Sequence, residues 1–475
     1  MLGARSHPPW RGVALLVAGA FFMEILDGTI IGTAAPRMAS SLGVRPVDLN
    51  VVITAYLLTL SVFIPVSGWL ADRFGARIVF GAAIAVFTVA SGLCAISTGL
   101  GELTAFRVLQ GIGGAMMVPV GRLVVLRKLT PGELINAFAY LTWPALAAPV
   151  IAPALGGVLT TYASWRWIFV INLPLGAAAL VITARIVPNL PHVDHAPLDW
   201  LGFALTGAGL ASLVTSLELV SARRVNWPYV ATSGAIAIVT LVLAVRHLRR
   251  AAHPLVELAA LRIPTFRVPN IGGSFFRLAI GAVPFLLPLM FQDAFGWSPL
   301  KSGLLVVAVF VGNIGIKPFT GPLLRRFGFR TLLVQAAVWS AVSIALCGLV
   351  TSHTPVPLIA FILFVSGVFR SIGFTAYNAI GFVDVPPEAI GDANTLTTTI
   401  QQLTGGLAVV AAALALRAGG PLARLFHVSV DARTDFAVAF YLMAVVGLLA
   451  MIESAMLPHD AGAAATAATM VEQPT

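Results

Sequence analysis

A chain of 475 residues in which 58% are hydrophobic and only 10% charged has too little polar surface to cover a water-soluble globule. Its mean hydropathy of +0.94 describes a polytopic membrane protein, and its net charge of +10, set in short loops between apolar runs, reads as positive-inside orientation and not as a nucleic-acid surface. The two cysteines, Cys94 and Cys347, each sit inside an apolar run without a vicinal partner, which argues against a disulfide framework or a metal site.

The first residues are few and basic and lead straight into a run long enough to span, with acids in its middle, so that run is expected to remain as a helix. Runs of about twenty apolar residues suffice for a hydrocarbon core of ~30 Å. They start near Gly12, Leu49, Ile78, Leu103, Asn136, Arg166, Leu198, Tyr229, Asn270, Ser302, Thr331, Pro357, Ala393 and Phe436. An even count puts both termini on one side. Assigning that side to the cytoplasm collects Arg73, Arg77, Arg127, Lys128, Arg246, Arg249, Arg250, Arg325, Arg326 and Arg330 inside. The loop around Asp384, Glu388 and Asp392 is acidic yet falls on the same side.

Two basic turns, Gly68–Arg77 and Gly321–Arg330, lie 253 positions apart. That shift also superposes Leu70 on Leu323, Arg73 on Arg326, Phe74 on Phe327, Gly75 on Gly328 and Cys94 on Cys347, while Arg325 stands where the first copy has Asp72. Glycine at such a turn takes backbone angles closed to other residues. The repeat implies duplicated halves, and its length leaves room for two helices between them. The expected fold is an all-α integral membrane protein of two six-helix repeats plus an inserted pair. Residues 1–187 form the first half, 188–250 a linker with the inserted pair, 251–456 the second half, and 457–475 a disordered cytoplasmic tail. His192 and His195, in a proline-flanked segment, read as solvated linker residues and not as metal ligands.

In the first run Glu24 and Asp27 are three residues apart on one helix face, and they are the only carboxylates near mid-membrane. An ionisable group at that depth is costly and marks a pathway, and two adjacent acids titrate as a coupled pair, which suits a proton carrier. Arg107, in the fourth run, needs a partner. At ~1.5 Å per residue Asp27 lies ~22 Å from one surface and Arg107 ~7 Å from the other, the same depth in a ~30 Å core. The fifth run carries Pro149, Pro153, Gly156 and Gly157, which suit a bending helix that slides on its neighbour. The second half adds Arg277, Lys317 and Arg370 without carboxylate neighbours. They either bind an anionic group of a substrate or snorkel to the interface. With Gln110, Asn313 and Gln401 they are the candidate substrate-cavity residues.

Several stretches resemble motifs of one family. Gly68, Leu70, Asp72, Arg73, Gly75 and Arg77 fit the G-x-L-a-D-r-x-G-r-k loop between helices 2 and 3 of the major facilitator superfamily. Leu26 to Pro36 resembles the L-D-x-T-I-x-x-x-A-x-P signature of its fourteen-helix drug:proton antiporters; Asp27 matches the signature acid and Glu24 is this chain's addition. Arg107, Gln110, Gly111 and Gly113 match R-x-x-Q-G-x-G. The stretch Ala152–Gly157 resembles G-P-x-x-G-G with Ala152 in place of the first glycine, and Ser164–Gly176 resembles W-R-W-I-F-x-I-N-x-P-x-G.

The resemblance implies a secondary active transporter of the multidrug-efflux type in a bacterial inner membrane, in which protons moving inward drive export of small amphiphilic compounds. It implies that Arg107 is linked to proton transfer and that Asp72 helps lock the halves on the inner side. Expected partners are a small-molecule substrate, protons and the bilayer, with a periplasmic adaptor left open; the chain is expected to act as a monomer with no cofactor. An exporter of an endogenous metabolite or anionic chelate is the alternative within the class, and a substrate-sensing membrane receptor the alternative outside it. An enzyme would need a convergent ligand set or a nucleophile with its base, and the sequence displays neither.

Overall fold

The computed structural model describes residues 10–127, 129–188, 197–221, 225–425, 432–463 and 465, and the regular structure among them is helical throughout. In a hydrocarbon environment a helix satisfies its own backbone hydrogen bonds, which is why apolar runs of this length become helices. The first half contains α1 (Trp10–Leu42), α2 (Asn50–Phe74), α3 (Ala76–Ile96), α4 (Leu100–Leu126), α5 (Leu134–Tyr162) and α6 (Trp167–Ile186). The inserted pair is α7 (Trp200–Ser221) and α8 (Trp227–Leu248). The second half contains α9 (Pro264–Ala294), α10 (Pro299–Gly315), α11 (Lys317–Leu349), α12 (Val356–Ile380), α13 (Pro387–Leu425) and α14 (Arg433–Ala455).

The repeat read from the sequence is a repeat in backbone geometry. Gly75 ends α2 with φ 88° and ψ 131°, and Gly328 breaks α11 with φ 74° and ψ 165°, both in a region that only glycine occupies readily. The same 253-residue shift relates a second irregularity. A 3₁₀ turn at Ile64–Val66 bends α2 at Pro65, and α10 gives way to α11 at Ile316, just before Pro318. Packing repeats as well: α1 lies on α5 as α9 lies on α13, and α3 on α4 as α11 on α12.

The halves meet on the face that carries Gly75 and Gly328. Gly68 packs so closely on Thr395 of α13 that an added Cβ would stand 3.3 Å from the threonine Cβ, and Asn394 Nδ2 donates to the carbonyl of Pro119 at 2.8 Å. Phe138 stacks on Phe382 with ring centroids 5.8 Å apart. The inserted α7 packs on both α2 and α13, whereas α8 exposes Ile236, Ile238, Val239 and Val242, an apolar face suited to lipid.

The segment expected to be a disordered tail begins as packed structure. Leu457 and Ala465 are buried and Gly462 sits against the ring of Phe329, because the chain leaving α14 still carries apolar side chains that the second half covers. Residues 464 and 466–475 lie outside those described, as do His192 and His195.

Candidate functional site

Asp27 and Arg107 form an ion pair with both side chains sealed from solvent. Glycines bring α4 close enough for this. A Cβ on Gly111 would lie 2.8 Å from Thr59 Cβ of α2, and one on Gly113 would lie 2.7 Å from the backbone nitrogen of Phe87 in α3. Arg107 also donates to Gln110 Oε1 at 2.6 Å, and Gln110 Nε2 donates to Asp27 Oδ1 at 3.0 Å and to Ser91 Oγ at 2.7 Å. Asn172, at the start of the second part of α6, adds its Nδ2 to Asp27 Oδ1 at 2.9 Å. The guanidinium carbon lies over the ring of Tyr56, 3.9 Å from its centroid, a desolvated cation–π contact. One carboxylate is thus held by donors from α4 and α6, with α2 and α3 closing the cluster.

Glu24 does not join this network. It is partly exposed, its Oε2 has no hydrogen-bond partner, and it lies beside Gly114 near the Tyr56 hydroxyl, which is also without one. Gln110, expected in the substrate cavity, belongs instead to the Asp27 cluster, because the helical spacing from Arg107 turns it the same way.

On the Gly75 face Asp72 accepts from Arg127 Nη2 at 2.5 Å. A Cβ on Gly391, in the first turn of α13, would stand 3.4 Å from that nitrogen and 3.5 Å from Asp72 Oδ2, so the pair is pressed against the second half. Arg73 is exposed, and Arg77 donates to the carbonyl of Ala184 on α6. Gly156 packs against Ile30 of α1, where a Cβ would lie 2.9 Å from Ile30 Cγ1, while Gly157 faces open space. Pro149 and Pro153 are within the continuous α5, with side chains outside the described ones.

Two cations reach across between the halves and two more lie within the second. Lys317 Nζ donates to Thr142 of α5 at 2.9 Å and to Thr375 of α12 at 2.8 Å, bridging the two halves. Arg122 reaches from α4 to Gln401 Oε1 at 3.3 Å, and Gln401 Nε2 donates to Asn378 at 2.9 Å. Arg277 donates to the carbonyl of Pro269 at 2.9 Å and leaves Nε and Nη2 unpartnered; Arg370 reaches only the carbonyl of Ile280, at 3.4 Å. Asn313 is fully buried with both amide atoms unpartnered. Among the described residues none of the four cations pairs with a carboxylate. Arg122 escaped sequence reasoning because it sits five residues before Arg127 and reads as part of the basic helix end. Asn172 was visible inside the tryptophan-rich motif, but nothing local links it to Asp27, 145 positions away.

Two six-helix repeats with an inserted pair, packed together on one face and bridged by Lys317 and Arg122, have the build of a multi-pass membrane transporter. The sequence profile of the Major Facilitator Superfamily matches residues 17–251 and 270–469, and the chain belongs to that family. A protein of Klebsiella pneumoniae (strain 342) named "Putative multidrug resistance protein MdtD" is 37% identical over 455 residues, 94% of each chain. The protein of that name from Escherichia coli (strain K12 / DH10B) is 36% identical over 452 residues, again 94% of each. Among solved structures, the human organic anion transporter MFSD10 superposes with a TM-score of 0.67 at 16% identity, covering 94% of this chain and 100% of that one. The proton:xylose symporter XylE superposes at 0.63 with 13% identity, covering 95% and 96%. These structures share the fold.

Proposed function

We propose that the chain is a proton-driven exporter of small amphiphilic compounds, set in a bacterial inner membrane with both termini in the cytoplasm and acting as a monomer. The observation that carries this reading is the placement of the Asp27–Arg107 pair, which is sealed inside the first half with its hydrogen-bond partners drawn from that half. A proton taken up by Asp27 cancels the pair without competing for substrate. Arg107 then keeps Tyr56 and Gln110 as partners, and α1 is released from α4 and α6. Asp72 and Arg127 act as part of the cytoplasmic gate. The names of the bacterial relatives support efflux of drugs.

The test is transport in proteoliposomes with an imposed pH gradient. Asp27→Asn mimics the protonated acid, so uphill export vanishes while substrate-for-substrate exchange persists. Gradient-driven export retained by this variant removes Asp27 from the mechanism.

A second reading, export of an endogenous metabolite or anionic chelate, is favoured by the four cations without carboxylate partners, because a buried cation is costly until an anion joins it. Competition separates the two. If small anions displace transported substrate and Arg122→Gln with Lys317→Gln removes that inhibition, the substrate is anionic; if only lipophilic cations compete, it is not.

A further inference from the structure

The segment 251–258, which joins α8 to the second half, is tied down along its length. Leu255 and Val256 are buried, and the Leu255 N–H donates to Asp199 Oδ2 at 3.2 Å. The same carboxylate accepts from the Gly202 N–H at 2.8 Å and meets His247 Nε2 at 2.8 Å, with its side chain only 7% exposed. One acid therefore clasps the start of α7, the end of α8 and the strap that follows. Past the clasp the strap walls a polar cavity of about 310 Å³ whose other walls include Trp69 and Asp72 from the first half and Glu388 and Asp392 from the second. Glu257 of the strap meets Asp392 carboxyl to carboxyl, next to Gly391 and the Asp72–Arg127 pair, a contact that holds only while the two acids share a proton.

We infer that the strap 251–258, held by Asp199, is a third part of the gate: it backs the first turn of α13 against the Asp72–Arg127 pair and sets how readily the Gly75 face opens. The Asp72–Arg127 pair lies within the first half and meets the second at Gly391, and a partly exposed ion pair of this kind contributes about 1 kcal/mol or less. A strap anchored to the inserted pair and in contact with Asp392 of α13 adds bias to the opening of that face. The inserted pair thereby has a mechanical task besides covering the seam between α2 and α13. This inference rests on the chain being a transporter that opens to alternate faces; it is independent of the proton and substrate readings.

The experiment measures opening directly. In the full chain with Cys94 and Cys347 replaced by alanine, spin labels are placed at Ile78→Cys and Thr331→Cys, exposed positions that the repeat superposes. Their separation is read by double electron–electron resonance in lipid nanodiscs. Asp199→Asn keeps one acceptor oxygen for α7 and α8 but turns an amide toward the Leu255 N–H; it is expected to enlarge the long-distance population severalfold. Glu257→Ala, an exposed substitution that leaves the clasp intact, is expected to shift the same population. Distances unchanged in Glu257→Ala and in any folded Asp199→Asn protein, while Asp72→Asn still lengthens them, would overturn the inference and leave the strap a connector.

Discussion

At the scale of single residues, the chemistry concentrates on a carboxylate held by three neighbours. Arg107→Ala leaves Asp27 buried without its counter-charge, and breaking such a pair costs about 3–5 kcal/mol. We expect a drop in melting temperature that Asp27→Asn combined with Arg107→Ala largely restores, because the double variant buries no charge; thermal unfolding of the purified variants checks this. Asn172→Leu keeps the volume but removes one donor from Asp27, a bond to a charged group contributing about 1.5–3 kcal/mol. The expected outcome is a transport rate lower by about tenfold or more with substrate affinity nearly unchanged, read by initial rates against substrate concentration. Asp199 supplies a pH prediction of a different kind. Partial burial pushes its carboxyl up, but hydrogen bonds from Gly202, His247 and Leu255 outweigh this and hold it below its ordinary value. A depressed acid contributes stability above its unfolded pKa and loses it only as the pH falls through the folded one. Asp199 therefore stays ionised from pH 6 to pH 8, and in a His247→Gln background, where the imidazole partner no longer titrates, the effect of Asp199→Asn on gate opening should be the same at both; a difference between them would contradict it.

At the scale of elements, glycines decide how near the helices come. Gly113 has the backbone of α3 against it, so Gly113→Ala must push α4 away, an overpacking cost of about 1–3 kcal/mol. Gly157 faces open space, and Gly157→Ala removes a helix penalty of about 1 kcal/mol instead. We expect the first substitution to lower both thermal stability and transport and the second to preserve them. Gly75→Ala places a side chain at φ 88°, ψ 131°, a strain of about 1–3 kcal/mol, and Gly328→Ala does the same at the symmetric turn. Since Gly75 follows the helix turn that carries Asp72, its substitution should also disturb the Arg127 pair, whereas Gly328→Ala has Arg325 at the equivalent place and no such pair to lose. A larger transport defect for Gly75→Ala at equal loss of stability is the expected result.

For the whole molecule, the halves meet on the face that carries Gly75 and Gly328, with Lys317 and Arg122 reaching across and the inserted α7 laid on both α2 and α13. The orientation follows from charge: Arg250 and Arg262 should react with impermeant reagents, as introduced cysteines, only from the cytoplasm, and Arg45 and His353 only from outside. Labelling of Arg250 and His353 from the same side would refute the proposed arrangement of spans.

The sequence by itself determined the spans, the duplication, the inserted pair and the family, since apolar length, loop charge and a glycine turn repeated at a fixed offset are local properties that need no partner. It also put Asp27 and Arg107 at one depth, because rise per residue converts position into height. Tertiary structure alone decided what completes the site. Tyr56, Ser91 and Asn172 come to the ion pair from three further helices, Arg122 turns from a basic helix end to Gln401 of the second half, and Gln110 turns to Asp27. The strap falls in sequence at the start of the second half, and only the fold shows that Asp199, 56 positions before Leu255, reaches its backbone and ties it to the inserted pair. The physical reason is the same in each case: burial forces a polar group to find partners, and which partners are near is set by helix packing and not by neighbours in the chain.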